Sequence, residues 1–403
     1  VFSEVKVMAH SHLFLNTKGR MRSPKLVIID EAFWQTGIDE QLIDPADLIT
    51  VGQPISAFIC TTLLKPESPP LLKALRDAGH DENALKAEAD EIEKVAAVKV
   101  DIKPSMTASE QMRRLESSTY VVKAHTLLRH LAAEMTKVDR ENSHVVRYEP
   151  KSNDKNPKAG KLVLTIRKHL NIDSATPIIF IDANAQKEVL EQFVASVDVV
   201  EIAAQRKATI HQFTDKTFSK TMLLKPDSEL LEQVKTFIAG VASKGSTLVA
   251  CSKAVMVAVC GKEDTFEGAS FVNFGNLRGL NDYSTFDNVI ILGREQPAAN
   301  SLSDQARSMW YDSEEPLRVL PDRSGNQPYA SQARGYRGVQ RGSVQVQAHP
   351  DWRAQLLLEQ IREAESEQAL DRLRLLRGEG KQRQVYILSN VPLNVTIDYG
   401  WSW

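Results

Sequence analysis

The chain predicts an α/β protein built on parallel sheets, and two observations predict it. Short apolar, β-branched runs recur along the sequence, with helical patterns between them. Several of the runs are almost unbroken by polar residues, as in parallel strands buried on both faces. Strands are expected at Val5–Met8, Lys25–Ile29, Ile178–Ile181, Val197–Ile202, Thr247–Cys251, Ser270–Asn273, Asn288–Leu292 and Gln384–Leu388.

A length of 403 residues suggests two or three domains. From about Pro70 to Asp139 the strand–helix alternation gives way to charged helical sequence, including NALKAEADEIEKVAAVKV. Ser105 or Thr107 suits the cap of a second helix there, with Glu110 in its first turn. The runs His144–Tyr148 and Lys161–Arg167 flank the polar turn SNDKNPKAG and predict a β-hairpin. Residues 1–36 and 171–196 are therefore assigned to a first sheet domain. Residues 37–170 form a largely helical insertion with a β-hairpin, and 197–403 form a second sheet domain. The Ser-, Gly-, Gln- and Arg-rich stretch Gln296–Gln347 is expected to be a long irregular excursion.

Composition excludes more than it assigns. Hydrophobic residues are 42% and charged residues 25%, ordinary for a globular protein. The net charge of −2 provides no bulk basic field, so any nucleic-acid contact must come from a local groove. The three cysteines, Cys60, Cys251 and Cys260, contain no CxxC pair. That argues against a disulfide framework or a cysteine-rich zinc site, and favours a reducing, cytoplasmic compartment. The most apolar stretch, Thr247–Cys260, is interrupted by Ser252 and Lys253 and is too short to span a bilayer. The chain opens on valine and runs directly into an apolar segment, so it reads as a piece of a longer protein.

The segment with the most chemistry is LVIIDEAFW, Leu26–Trp34. An apolar strand followed by two carboxylates suits a phosphoryl-transfer site, because ligands bind at the carboxyl ends of parallel strands. Asp30 is suited to hold Mg2+ through its water shell. Glu31 is suited to orient a water toward a terminal phosphate. Alternatively, the pair merely ends a strand. Five further segments follow the same strand-to-polar-turn grammar or carry charges at telling spacings. VMAHSHLF offers His10, Ser11 and His12 in a turn. PIIFIDANA ends in Asp182-Ala183-Asn184. STLVACSKA predicts a strand and then a helix beginning at Ser252. FVNFGNLRGLNDYSTFDNVIILGR holds Arg278, Gly279 and Asn281 between two strands, and its glycines permit close backbone approach. EAESEQALDRLRL places Gln368 and Arg372 on one helical face, and Arg374 shares their cleft only if the helix ends there. Taken alone, the acidic residues Glu363, Glu365, Glu367 and Asp371 read as a solvated helix face.

In this order the segments resemble the motifs of superfamily-two helicases. More loosely, the chain resembles helicase-like modules of phage and mobile-element replication proteins. LVIIDEAFW resembles the DEAH-type Walker B box, with Phe33 where a histidine stands. DAN resembles the coupling motif, with Asn184 in place of threonine. The resemblance covers nearly the whole chain except the insertion. It implies two RecA-like domains, the first incomplete, and an ATP-dependent helicase or translocase on DNA, with RNA left open. ATP and Mg2+ are the cofactors so implied, and replication proteins the partners, with no membrane. Asp30 and Glu31 would be catalytic together with Gln368, Arg372 and Arg374, the last two as arginine fingers. Asp30, Gly279, Asn281, Arg372 and Arg374 would bind nucleotide. His10, Ser11, His12, Asn184, Ser252 and Arg278 would touch nucleic acid.

No GxxxxGK[ST] loop occurs: Gly160-Lys161 is followed by Leu162, and Gly245-Ser246-Thr247 lacks lysine. In the family that loop precedes the first motif seen here, so the expectation is that this chain alone does not hydrolyse ATP efficiently. The alternative is a non-catalytic nucleic-acid or protein binding module on a degenerate helicase fold. A metal-dependent α/β hydrolase using Asp30 and Glu31 is a third reading. Arg113, Arg114, Lys123 and Arg129 of the insertion are candidates to grip a strand, or else a solvated helix face.

Overall fold

The computed structural model describes residues 5–15, 24–65, 69–99, 103, 105–150, 160–202, 205–226, 228–277, 282–319, 328–338, 342–376 and 382–403. The chain divides into two compact units. One comprises Val1–Ser196 with Asp304–Leu317, the other Val197–Ser303 with Arg318–Trp403.

In the first unit, β1 (Val27–Asp30) and β5 (Ile178–Ile181) form a two-stranded parallel sheet, with Asp30 opposite Ile181. Between them the chain builds a separate body. Strands β2 (Ile38–Ile43), β3 (Val146–Glu149) and β4 (Lys161–Arg167) form an antiparallel sheet in the order β2-β4-β3. Helices α1 (Pro45–Thr50), α2 (Pro54–Leu63), α3 (Leu71–Asp77), α4 (Glu82–Lys99) and α5 (Ala108–Met135) pack with it around one core that includes Ile59, Leu72, Leu85, Leu127 and Leu164. The short α6 (Lys187–Leu190) follows β5. Thr107 caps α5 in a reciprocal box: its amide donates to Glu110 (2.9 Å), and its hydroxyl oxygen accepts from the Glu110 amide (3.3 Å). Glu88 satisfies the start of α2 from a distance, accepting from the amides of Ile55 (2.8 Å) and Ser56 (2.7 Å).

In the second unit the strands are β6 (Ala208–Phe213), β7 (Thr247–Cys251), β8 (Thr265–Phe266), β9 (Ala269–Asn273), β10 (Asn288–Leu292), β11 (Ala330–Gly335), β12 (Arg337–Gly338), β13 (Ser343–Ala348), β14 (Arg383–Leu388), β15 (Thr396–Ile397) and β16 (Tyr399–Trp401). The helices are α7 (Lys220–Leu223), α8 (Glu229–Ala242), α9 (Lys253–Cys260), α10 (Ala299–Met309), which ends in the first unit, and α11 (Trp352–Asp371). The main sheet has seven strands in the order β16-β6-β14-β10-β7-β9-β8. All its pairs are parallel except β8–β9. Alternation within each strand feeds two cores. Leu248, Ala250, Val289, Ile291, Val385 and Ile387 face a layer containing Ala369 and Leu370 of α11. Val249, Cys251, Ile290 and Leu292 face Val234, Ile238, Val255 and Val259 of α8 and α9. Burial on both faces is why these strands are apolar throughout.

Several sequence expectations need correction. Val5–Met8 and Val197–Ile202 form no strand; Val7 is 96% and Ile202 87% exposed, so neither run has a surface to pack on. The strand β6 lies outside the expected set, its apolar pattern being diluted by His211 and Gln212. Gln296–Gln347 is not an irregular excursion, since it carries α10 and the antiparallel β11–β13 pair. Residues 304–317 belong with the first unit, where basic side chains hold them. Arg147 pairs with Asp304, and Arg167 donates to the Met309 carbonyl (2.5 Å). Arg140 donates to the Ser313 carbonyl (2.7 Å), and Lys137 pairs with Glu314 (2.8 Å). Lys123 and Arg129 already have protein partners, the Leu42 carbonyl (2.6 Å) and Asp90. Among the described residues, no helix is long and apolar enough to cross a membrane.

Candidate functional site

The carboxyl end of the β1/β5 pair gathers most of the first unit's expected site residues. The strands run parallel, so Asp30-Glu31 and Asp182-Ala183-Asn184 leave the sheet side by side. The Glu31 amide donates to the Ile181 carbonyl (2.9 Å), which sets the carboxylate pair directly beside the second turn. Asp182 accepts from the Asn184 amide (2.9 Å) and fixes that turn. His10 joins from the other side, its Nε2 bonded to the Asp30 carbonyl (2.9 Å). It starts a short 3-10 helix, His10–Phe14, that also carries Ser11 and His12, both exposed.

Phe33 anchors this arrangement from below. It is 2% exposed, with ring centroids at 5.1 Å from Phe193, 5.6 Å from Phe180 and 6.3 Å from Phe14. A charged or strongly polar residue here would disrupt an aromatic core, which accounts for phenylalanine at this position. Glu31 sits at φ +62°, in the left-handed region that ordinary residues avoid. That conformation turns the chain sharply after Asp30, which is exposed.

The expectation of a buried first strand is corrected. Ile28 is 58% exposed, Ile179 48% and Ile181 54%, because no layer covers that face among the described residues. Asp30 and Glu31 are the carboxylates at this end of the pair that could contribute to a magnesium ion whose shell is completed by phosphate oxygens and water. They do not form a protein cage: among the described residues no group of three or more His, Cys, Asp or Glu side chains could hold a metal.

The second unit's described candidates lie on opposite edges of its sheet. Ser252 follows β7 at the carboxyl edge and N-caps α9, its hydroxyl oxygen buried without a hydrogen-bond partner. Gln368, Arg372 and Arg374 lie toward the amino edge. Asp371 is held there by Arg206, two residues before β6, through bonds of 2.9 and 2.8 Å. The Leu375 carbonyl accepts from the Lys207 amide (2.9 Å). α11 ends at Asp371, Arg372 is its C-cap, and Arg374 has φ +50°. The helix end that Arg372 and Arg374 require in order to turn the same way is therefore present. Arg278, Gly279 and Asn281 lie outside the described residues.

α11 is not a solvated helix. Glu363, Glu365 and Glu367 are 7%, 6% and 3% exposed, and Arg362 1%. Each carboxylate has a partner: Glu363 accepts from Arg334 (2.7 Å), Glu365 from the Gly275 amide (3.1 Å) and Glu367 from the Asn394 amide (2.7 Å). Burial pushes the Glu367 carboxyl up, against the pull of Asn394 and Arg206. Sequence reasoning missed Arg206, Arg294 and this carboxylate row, because their partners are remote in the chain. Burial also pushes the Cys251 thiol up to about 12 and Cys260 to about 11, so neither is a thiolate nucleophile at neutral pH. No protein-family model matches the chain, and no curated protein matches it.

Proposed function

We propose that this chain supplies part of the motor of a nucleic-acid-dependent ATPase of the helicase type, acting on DNA in replication or mobile-element maintenance. The observation that carries the reading is the meeting of DEAF and DAN at the carboxyl end of one parallel pair, with Glu31 in a left-handed turn. Separated by about 150 residues of sequence, these two motifs are the ones that a helicase needs adjacent.

In this reading ATP and Mg2+ supply the phosphoanhydride and its charge neutralisation. Asp30 would hold the metal's water shell, and Glu31 would orient the attacking water. Asn184 would relay between nucleotide and nucleic acid. His10, Ser11, His12, Ser252 and Arg278 would touch the backbone. Gly279 and Asn281 would lie between the two ligands. Arg372 and Arg374, steadied by the Arg206–Asp371 pair, would stabilise charge on the transferring phosphoryl group, with Gln368 beside them. In any form of the protein that turns over ATP, Arg372→Ala and Arg374→Ala would lower turnover more than nucleotide binding.

A second reading has its own support. Phe33 is committed to an aromatic core and the 403 residues hold no phosphate-cradling GxxxxGK[ST], so a binding module without turnover also fits. Steady-state ATPase and single-strand binding assays test both. The expected result is DNA binding with turnover near background, unchanged in Glu31→Gln. Robust turnover abolished by Glu31→Gln would overturn the partial-motor reading. Absence of binding to both DNA and RNA would overturn the motor reading altogether.

A further inference from the structure

Two arginines in the second unit, Arg362 buried and Arg294 partly buried, share a site with too little negative charge between them. Arg362 is accounted for: it pairs with Glu363 (2.7 and 3.0 Å) and donates to the Gln347 carbonyl (2.6 Å). Glu363 is itself divided between Arg362 and Arg334. Arg294 is not accounted for. Its Nε and Nη2 donate to the neutral side-chain oxygens of Gln296 (3.2 Å) and Gln347 (3.3 Å). Its Nη1 is buried and donates to nothing. Among the described residues no carboxylate forms an ion pair with it. Burial and the neighbouring Arg362 together push its guanidinium down to about 10.

Gln296 adds a second idle donor. Its Oε1 accepts from both Arg294 (3.2 Å) and Arg362 (3.4 Å), which fixes the amide orientation. That leaves Nε2 buried with no acceptor in bonding geometry, although the amide lies near the Tyr329 hydroxyl. Buried donors are almost always paired, and a buried cation without a counter-ion is costly. Donors outnumbering acceptors around two guanidinium groups describe an anion receptor.

The position fits. Arg294 lies two residues past the end of β10. β10 continues to β14 on one side, whereas neighbouring β7 continues to β9 on the other. Such a reversal opens a crevice at the carboxyl edge, where ligands of parallel sheets bind. Cys251 pairs with Leu292, so Ser252, with its own idle hydroxyl at the start of α9, stands across from Gly293. The Arg294–Gln347 bond is exposed, which leaves the guanidinium open to solvent on that side.

We infer that Arg294, with Arg362 and Gln296, forms a receptor for a phosphate group at the β7/β10 crevice. Phosphate supplies the several acceptor oxygens and the multiple charge that these donors lack, where a single carboxylate would leave part of them idle. The inference stands without the motor reading, because inorganic phosphate alone probes it.

The test is thermal unfolding of the full chain against inorganic phosphate, with Arg294→Gln as the variant. In wild type the midpoint is expected to rise with phosphate, and Arg294→Gln is expected to weaken phosphate binding by about tenfold or more. In phosphate-free buffer Arg294→Gln should melt at the same temperature as wild type or higher, since it removes a partly buried charge that has no counter-ion among the described residues. ATP and a single-stranded oligonucleotide are then competed against phosphate. Competition by the oligonucleotide makes a phosphodiester the natural occupant, competition by ATP a nucleotide, and competition by neither the free ion. No phosphate-dependent shift in wild type, or an equal shift in Arg294→Gln, would overturn the receptor. A lower midpoint for the variant without phosphate would overturn it as well, by making Arg294 a structural donor.

Discussion

Val27–Asp30 and Asn288–Leu292 are written in nearly the same residues and meet opposite surroundings. In β10 every residue is buried, with Val289 and Ile291 facing one helical layer and Ile290 and Leu292 the other. In β1 only Ile29 is buried, and Ile28 is 58% exposed. The difference teaches that a parallel pair is stable in proportion to what covers its two faces. The second unit supplies both layers itself. The first unit spends its apolar helices on the insertion core, so the β1/β5 pair rests on one aromatic layer and bares the other face.

The largest expected effect tests that contrast directly. Ile290→Ala should destabilise the second unit by about 2–5 kcal/mol, whereas Ile28→Ala should cost the first unit no more than ~0.5 kcal/mol. Urea unfolding of the two variants checks this, and equal costs would mean that the β1 face is covered in solution.

A pH series tells the two unfolding transitions apart. Glu134 is buried against Arg140 (3.3 Å), and burial pushes its carboxyl above the ordinary 4.5. A raised acid binds its proton more readily when folded. Its contribution to stability is therefore complete below about pH 4.5 and is lost as pH rises through the folded value. Glu134→Gln should flatten that decline for the first unit and leave the second unit's pH dependence in place.

A smaller effect concerns the turn after β1. Glu31→Gly should stabilise the first unit by about 1 kcal/mol, because glycine adopts the left-handed conformation without strain. Loss of stability instead would mean that the Glu31 side chain holds the turn together. Smallest of all, Ile28→Lys should change stability by less than ~0.5 kcal/mol while lowering self-association in sedimentation. An unchanged tendency to associate would remove the bare face as its cause.

The sequence was legible where one physical cause dominated. β5, β7 and β10 match their expected bounds because parallel strands within a sheet are marked by continuous apolar runs or β-branched density. The Thr107 capping box was legible because its two partners are three residues apart. β6 escaped because His211 and Gln212 dilute its pattern. His211 stacks between Tyr386 and Tyr399 at 4.9 and 5.0 Å, and the side chain of Gln212 bonds the Ser389 and Val391 carbonyls (2.9 and 2.8 Å). Val197–Ile202 misled for the converse reason: β-branched density is no strand without a neighbour to pair with. The carboxylates of α11 looked solvated because Arg334, Gly275 and Asn394 cannot be matched to them by spacing. At the candidate site, the strand ends and their order could be read, but the left-handed turn at Glu31 and the Phe33 anchor could not.

The return of Asp304–Leu317 to the first unit sets a schedule for biosynthesis. As the chain leaves the ribosome, residues 1–196 appear first, yet Arg147, Arg140, Arg167 and Lys137 await partners made more than a hundred residues later. Until then those four contacts are unmade, and the second unit's opening strands emerge before the first unit is complete. The first unit is therefore complete only after part of the second has been made, although its insertion core, drawn from residues 43–166, is available earlier.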